Sequence, residues 1–214
     1  MKAVFLDYTG TMVREDDPYT KELVKYFITH SSLTSPELAF GAVWTKIKEL
    51  EDTCCGESFI KLDEKADRIL NWCVEEHGLK GDLNHMHDIW RNVWIHAPLF
   101  DDVKPFVEQI GCPVYVVTND DLCYVEQSLE EKELKVAGIV AAEMVRACKP
   151  HREIFEKALE MADASPEEVI HIGDSVTSDV KPALALGITP VYLSRKKDVE
   201  LDGVRVIRSL LDLI

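Results

Sequence analysis

The sequence lacks the features of a membrane protein, an exported protein or a nucleic-acid-binding protein. None of the apolar stretches among its 214 residues is long enough to cross a bilayer. The apolar run after Lys2 is too short for the hydrophobic region of a signal peptide. The net charge is −15 and no basic stripe interrupts it, so the chain would repel phosphate backbones. We therefore expect neither a membrane nor a nucleic acid as a partner.

Cysteine is present, but without the spacing of a metal or disulfide site. The six cysteines occupy positions 54, 55, 73, 112, 123 and 148. No CxxC pair occurs, and a chain of this length buries a full core without disulfide bonds. The adjacent pair Cys54 and Cys55 could oxidise, although an interpretation as ordinary small residues is favoured. We expect reduced thiols and a cytoplasmic protein.

Four apolar, β-branched segments bounded by turn signals predict buried parallel strands. They are AVFLD (3–7), PVYVVTN (113–119), EVIHIGD (168–174) and TPVYLS (189–194). Residues 138–145 predict a shorter strand, and residues 203–207 a weak edge strand. Helical patterns cover residues 101–110, 121–134, 150–162 and 178–186, the last running from an N-cap at Ser178 to a C-cap at Gly187. This alternation predicts an α/β fold with a doubly wound, Rossmann-like parallel sheet.

Residues 15–97 lack this alternation. All four tryptophans lie there, and no proline occurs between Pro36 and Pro98. Ser35 and Pro36 form a strong helix start, and apolar residues recur at helical spacing over 62–73 and 83–93. The segment predicts an inserted all-α cap domain. The predicted division is a catalytic core of residues 1–14 plus 98–214 and a helical cap of residues 15–97.

Polar residues stand where the predicted strands end. Asp7, Thr118 and Asp174 each follow a different strand, and ligands of open α/β sheets bind at that edge. Lys149 precedes a predicted helix, and Asp179 lies in the first turn after Asp174. Carboxylates that converge beside Asp7 form a cluster of hard oxygen ligands, which predicts a Mg²⁺ site.

The order of these motifs resembles the haloacid dehalogenase superfamily of phosphohydrolases. DxxGT comes first, then a hydrophobic strand ending in Thr-Asn, then Lys-Pro, then GDxxxxD, and the resemblance covers essentially the whole chain. It is closest to members with a helical cap between the first two motifs. The resemblance implies a Mg²⁺-dependent phosphatase of a small phosphorylated metabolite, working through an aspartyl-phosphate, as a monomer or homodimer.

The resemblance also implies the metal ligands and the nucleophile. Asp7 would attack phosphorus. Mg²⁺ would bind the carboxylates of Asp7 and Asp174 and the backbone carbonyl of Thr9. Asp179, counted with the metal site, would orient either Lys149 or a metal-bound water.

The phosphate would be held by a second set of groups. Lys149 would stabilise charge on the phosphoryl oxygens. Thr118 would donate its hydroxyl proton to one of these oxygens, with help from Asn119. The backbone N–H groups of Tyr8, Thr9 and Gly10 would complete the cradle.

Thr9 departs from the family pattern, which has an aspartate two residues after the nucleophile. That aspartate protonates the leaving oxygen and then activates water, and a threonine hydroxyl can do neither at neutral pH. Either the substrate has a good leaving group, such as an acyl phosphate or an anhydride, or the cap supplies the acid, or the protein is slow or degenerate. We hypothesise that Thr9→Asp raises turnover of simple phosphomonoesters. An unchanged or lower rate would indicate that another group already transfers the proton.

Several cap residues and reaction classes stay open from the sequence. Arg14, Lys46, Lys61 and Arg91 are candidate cations facing the substrate, although a solvated helix face is favoured for each. Phosphonoacetaldehyde hydrolase also lacks the acid and forms a Schiff base with a cap lysine, so Lys46, Lys48 and Lys61 keep phosphonate cleavage possible. A metal-free dehalogenase and a non-catalytic regulatory protein are further alternatives, against which the acidic GDxxxxD motif and the intact Asp7 argue.

Overall fold

Six parallel strands form one sheet, and the computed structural model describes residues 1–214. The strands are β1 (Ala3–Leu6), β2 (Val114–Thr118), β3 (Gly138–Ala141), β4 (Val169–Gly173), β5 (Thr189–Leu193) and β6 (Arg205–Ile207). Their order in the sheet is β3-β2-β1-β4-β5-β6, and each neighbouring pair is parallel. The chain order reverses beside β1, so the carboxyl ends of β2, β1 and β4 form one crevice. The predicted Rossmann-like fold is confirmed.

Helices cover both faces of this sheet. They are α5 (Val103–Gln109), α6 (Leu122–Glu131), α7 (Arg152–Met161) and α8 (Lys181–Ala185). Successive residues of a strand face opposite sides, so Val4 and Leu6 pack into one buried cluster while Ala3 and Phe5 pack into another. Burial on both faces explains why the strand segments are apolar throughout rather than alternating.

Four helices lie between β1 and α5. They are α1 (Pro18–His30), α2 (Pro36–Asp52), α3 (Leu62–His77) and α4 (Leu83–His96), and we call them the inserted helices. They share a buried apolar cluster of their own, to which Phe27, Ile69 and Met86 contribute fully buried side chains. The helix start at Ser35 is confirmed, since its hydroxyl accepts from the N–H of Leu38. The exact division of the chain into a core and a cap domain stays a prediction.

The inserted helices and the segment that joins α2 to α3 contact the sheet domain. The N–H of Cys148 donates to the carbonyl of Cys54 at 2.9 Å, and the N–H of Gly56 donates to the carbonyl of Arg146 at 2.8 Å. On the other side of the crevice, Lys48 Nζ lies 3.0 Å from Ser178 Oγ. A pocket lies between the two parts of the molecule, and Lys48 and Ser178 are among the residues that line it.

Two sequence predictions differ from the structure. Residues 142–145 form a turn after β3 instead of extending the strand. Ser178 is not a helix cap, because a π-helical turn (Val176–Val180) precedes α8 and Ser175 caps it by accepting from the N–H of Ser178 at 3.1 Å. The predicted stop at Gly187 is confirmed by its φ of +79°, a conformation that favours glycine. None of the helices combines the length and apolarity needed to cross a bilayer.

Candidate active site

Three carboxylates meet at the carboxyl edge of the sheet. Asp7 follows β1, Asp174 follows β4, and Asp179 comes from the π-helical turn after it. One oxygen of each lies within 4.8 Å of the others. The N–H of Asp7 donates to the carbonyl of Ile172 at 2.9 Å, which holds the end of β1 against β4. The predicted convergence of the acids is therefore present in the structure.

Two glycines allow these carboxylates to approach the backbone. A Cβ atom at Gly10 would overlap the Asp174 carboxylate, and Gly10 has a φ of +83° that other residues rarely adopt. A Cβ atom at Gly173 would overlap the Asp179 carboxyl group. The glycine of DxxGT and the glycine of GDxxxxD thus leave room for one acid each.

Lys149 lies between two of the acids. Its Nζ is 2.5 Å from Asp7 Oδ1 and 2.7 Å from Asp179 Oδ1, and the side chain is almost fully buried. Asn119 holds the Lys149 backbone from both sides, because its Oδ1 accepts from the Lys149 N–H at 2.6 Å and its Nδ2 donates to the Lys149 carbonyl at 3.2 Å. Asn119 therefore positions Lys149, which differs from the phosphate contact that the sequence predicted for it.

Asp179 orients Lys149 through an extended set of hydrogen bonds. Its Oδ1 also lies 2.9 Å from Nε2 of the buried His171, and its Oδ2 accepts from the N–H of Ser175 at 3.1 Å. Both oxygens are thus occupied by protein groups. The two roles predicted for Asp179 were orientation of Lys149 and orientation of a metal-bound water, and the geometry favours the first. Although Asp179 was counted with the metal site, neither of its oxygens is free to bind the ion directly. His171 was missed in the sequence, where its signal is a single polar residue inside an apolar strand.

The electrostatic balance of this cluster is unusual. Burial raises the pKa of Asp7. Burial, together with the charges of Asp7 and Asp179, raises the pKa of Asp174 to about 8. Burial would also raise the pKa of Asp179, but Lys149 and His171 more than offset this and hold it below its ordinary range. Lys149 keeps a raised pKa despite its burial, because Asp179 and Asp7 stabilise its charge.

The donor set fits a divalent cation. Lys149 pairs with Asp7 and Asp179 but not with Asp174, so compensating positive charge is lacking where Asp7 and Asp174 are adjacent. Hard carboxylate oxygens on a partly open edge, with room for water, are the ligands that Mg²⁺ prefers. The raised pKa of Asp174 is the expected signature of an acid that lacks a compensating positive charge.

Thr9 contacts a carboxylate that the sequence reading missed. Thr9 Oγ1 donates to Asp120 Oδ2 at 3.0 Å, and Thr118 Oγ1 donates to the same oxygen at 2.9 Å. The N–H of Asp120 donates back to Thr118 Oγ1 at 3.0 Å. Burial raises the pKa of Asp120. Its signal in the sequence is its position directly after the Thr-Asn motif that ends β2.

The phosphate contact predicted for Gly10 is also wrong in this structure. The N–H of Gly10 donates to the carbonyl of Val13 at 3.0 Å, closing the turn after β1, so it is not free for a phosphate. The side chain of Tyr8 is buried, and its hydroxyl has no protein partner. Gly10 therefore contributes its conformation and its missing side chain rather than a donor.

The pocket above the carboxylates has one polar and one apolar end. The site residues line its floor, and the inserted helices contribute an apolar wall that includes Phe27, Val43, Ile69 and Trp90. Tryptophan side chains thus both fill the helical core and face the pocket.

Of the four candidate cap cations, for which a solvated face was favoured, only one lines this pocket. Arg14 does so, and its guanidinium pairs with Asp101 at 2.6 Å. The other three lie outside it and pair with acids on the surface: Lys46 with Glu49, Lys61 with Glu143, and Arg91 with Asp63 and Asp88. Lys48 and the buried Lys65 line the pocket instead. Helical spacing alone could not show which face of α2 and α3 turns toward the sheet.

Comparison with known proteins identifies the family. The model of the haloacid dehalogenase-like hydrolases matches residues 1–187. The chain belongs to this family. It is similar to the glyceraldehyde 3-phosphate phosphatase of Pyrococcus furiosus, with 43% identity over 54 residues, or 25% of this chain and 22% of that protein. It is also similar to pyrophosphatase PpaX of Bacillus cereus, with 30% identity over 56% of this chain and 52% of that protein.

Solved structures of the family share the fold over the full length of the chain. The L-2-haloacid dehalogenase PA0810 superposes with a TM-score of 0.79 and 20% identity, covering 100% of this chain and 97% of that one. The matched regions of the two curated relatives span only about a fifth and about half of their lengths. Membership of the hydrolase family is thus established, while the substrate is a matter for proposal.

Proposed function

We propose that the protein is a Mg²⁺-dependent phosphatase that acts on a small phosphorylated metabolite through an aspartyl-phosphate on Asp7. The observation that carries this proposal is the Asp7 carboxylate, 2.5 Å from Lys149 and beside the uncompensated Asp174 at the floor of a pocket. The phosphatase and pyrophosphatase names of the two curated relatives support the same class of substrate.

In the first step, an oxygen of Asp7 bonds to phosphorus while the bond between phosphorus and the leaving oxygen breaks. In the second step, water attacks phosphorus, the bond to Asp7 breaks, and inorganic phosphate leaves. Lys149 remains protonated throughout, since its raised pKa keeps the ammonium charged beside the transferring group. A fixed charge of this kind contributes about 10²–10³-fold in rate.

The carboxylates of Asp7 and Asp174 would hold Mg²⁺, with the backbone carbonyl of Thr9 as a further predicted ligand. When bound, the ion neutralises phosphate charge so that an anionic nucleophile can approach. Asp179 keeps Lys149 directed at Asp7, and Asn119 fixes the Lys149 backbone. The apolar wall above the floor would accept the organic part of the substrate.

A screen of phosphorylated metabolites with Mg²⁺, followed by acid quench of a radiolabelled substrate, tests this proposal. We expect phosphate release and an acid-stable phosphoenzyme from the wild type, both lost in Asp7→Asn and on addition of EDTA. Asp202→Asn, the same change at an exposed acid outside the pocket, is the matched control. Absence of any phosphoenzyme would contradict the proposal. Release of halide from 2-haloacids in EDTA would indicate a metal-free dehalogenase instead.

A further inference from the structure

The carboxylate missing from position 9 has a neighbour that could replace it. The Thr9 hydroxyl makes one hydrogen bond within the protein, to Asp120 Oδ2 at 3.0 Å. Asp120 is remote in sequence but lines the same pocket as Asp7 and Thr9. A carboxylate is therefore present one hydrogen bond away from the side chain that replaces the family's acid.

The surroundings of Asp120 do not explain it as a structural residue. It forms no ion pair, in contrast to the pairing of Asp7 and Asp179 with Lys149. Both hydrogen bonds to its carboxylate come from threonine hydroxyls and reach the same oxygen, Oδ2. Its Oδ1 accepts no hydrogen bond from the protein. Asp120 is half buried and lines the pocket, and one of its carboxylate oxygens has no partner in the protein. A carboxyl group in such a setting can donate and accept protons.

The other acids that line the pocket, Glu15 among them, make no hydrogen bond with Thr9. Glu51 pairs with Lys48 at 3.1 Å, and Asp179 is fully occupied by Lys149, His171 and Ser175. Neither contacts Thr9. Asp120 is thus the acid that the geometry connects to position 9.

We propose that Asp120 is the proton donor and acceptor of the phosphatase, with the Thr9 hydroxyl relaying the proton. The inference rests on the proposed phosphatase function. The cycle starts with Asp120 protonated on Oδ2 and donating to Thr9 Oγ1, the reverse of the hydrogen bond that the ionised carboxylate accepts. As the bond from phosphorus to the leaving oxygen breaks, that oxygen takes the Thr9 proton and Thr9 Oγ1 takes the proton of Asp120. As water later attacks the aspartyl-phosphate, its proton passes to Thr9 Oγ1 and the Thr9 proton returns to Asp120. Each cycle leaves both residues as they began.

Asp120→Asn, assayed with substrates of different leaving groups, tests the proposal. A group that protonates the leaving oxygen matters most for poor leaving groups, so kcat/KM for an alkyl phosphate should fall by about 10²–10⁴-fold. With 4-nitrophenyl phosphate, kcat/KM should change by less than about tenfold. The phosphoenzyme should then accumulate as a burst, because its hydrolysis also needs the proton acceptor. A loss that is equal for all leaving groups, or no loss, would overturn the proposal.

Variants at neighbouring positions provide the controls. Asp121→Asn changes the next residue, whose carboxylate accepts from the N–H of Leu62 at 3.3 Å and lies outside the pocket lining, so no dependence on the leaving group is expected. Thr9→Val should reproduce the Asp120→Asn profile, and the double variant should lose no further activity. If Asp120→Asn fails to fold, Thr9→Val alone decides the question by the same leaving-group comparison.

A rescue experiment separates proton transfer from packing. In the Asp120→Asn background, Thr9→Asp places an acid at the family position and should restore the alkyl phosphate rate. In the wild-type background the same change puts two carboxylates side by side and should bring no gain, in contrast to the rise hypothesised from the sequence alone. Failure of the rescue would overturn the relay. If the wild type forms no phosphoenzyme, the phosphatase proposal fails; if it does and only the leaving-group dependence is absent, this inference alone fails.

Discussion

Two buried clusters of acids and cations lie in the sheet domain, and they differ in how their charges balance. In one, Asp102 accepts from Arg195 at 2.9 and 3.0 Å, from Ser209 Oγ at 2.8 Å and from the N–H of Leu210 at 2.8 Å. One acid meets one cation, and every oxygen is used. In the other cluster, the carboxylates of Asp7, Asp174 and Asp179 lie together, and the one lysine, Lys149, pairs with Asp7 and Asp179 but not with Asp174.

The two clusters show how burial changes the pKa of an acid with and without a compensating positive charge. Burial would raise the pKa of Asp102, but Arg195, Ser209 and Leu210 outweigh it and hold that pKa below its usual range. Burial beside other acids raises the pKa of Asp174 to about 8. The balanced cluster joins α5 to the C-terminal segment and is a structural element. The unbalanced one keeps surplus charge for a cation and a substrate, which is typical of functional sites.

The largest contrast between the clusters should come from Asp7→Asn. Removal of the nucleophile should lower kcat by at least about 10⁴-fold. The thermal midpoint of the metal-free protein should stay level or rise, because the change removes one of three crowded carboxyl groups. Single-turnover kinetics and calorimetry with EDTA measure the two effects. A marked fall in the thermal midpoint would mean that the Asp7 pair with Lys149 serves stability as the Asp102 pair does.

Asp102→Ala should show the opposite pattern. Removing one partner of a buried pair leaves Arg195 uncompensated and should cost about 3 kcal/mol in the free energy of unfolding. The kcat of the folded fraction should be unchanged, since Asp102 lies outside the pocket lining. Urea denaturation and active-site titration measure these quantities. A large loss of kcat would show that the Asp102 cluster also supports catalysis.

The pH dependence of Asp102 has a defined sign. Its folded-state pKa is lowered, so its contribution is present above its ordinary pKa of about 4 and is lost as the pH falls through the folded value. The wild type should therefore lose stability in that acidic range more steeply than Asp102→Ala. If the free energy of unfolding fell equally steeply with pH in the two proteins, this account of Asp102 would be contradicted.

Mg²⁺ binding should depend on pH through Asp174. Its folded-state pKa of about 8 in the metal-free protein means that the bound proton stabilises the fold at low pH, and this contribution is lost as the pH rises toward 8. Cation binding must displace that proton, so the affinity should fall by about tenfold for each pH unit below 8. Calorimetric titrations at pH 6, 7 and 8 measure it, with Asp174→Asn as the control. Equal affinity at all three values would show that Asp174 is already ionised.

The smallest effect on stability is expected for the partly exposed ion pair between Lys48 and Glu51. Lys48 on α2 contacts Glu51 and, across the crevice, Ser178, so Lys48→Gln should cost about 0.5–1 kcal/mol. Lys46→Gln removes a pair with the same spacing on the same helix, to Glu49, without a contact to the sheet domain, and should cost less. Equal losses in urea denaturation would mean that the contact between Lys48 and Ser178 adds nothing to stability.

The sequence predicted the strands and most helices because their signals are local. Apolar β-branched runs, helical spacing and caps such as Ser35 act within a few residues, and the helices of the insertion follow the same rule. The helix start at Ser178 was wrong because a turn capped by Ser175, in a rare π-helical geometry, carries the same local pattern. The candidate cap cations stayed open for a similar reason, since periodicity does not reveal which face of a helix meets the sheet.

The order of motifs along the chain was enough to determine the family, the parallel sheet and the meeting of Asp7, Lys149 and Asp174, because strand ends in a doubly wound sheet share one edge. The tertiary structure alone decided which side chains touch within that edge. Thr9 and Asp120 are 111 residues apart, and Asn119 and Lys149 are 30 apart. Such contacts depend on the packing of separate loops at ångström precision, and neither periodicity nor spacing along the chain encodes that distance.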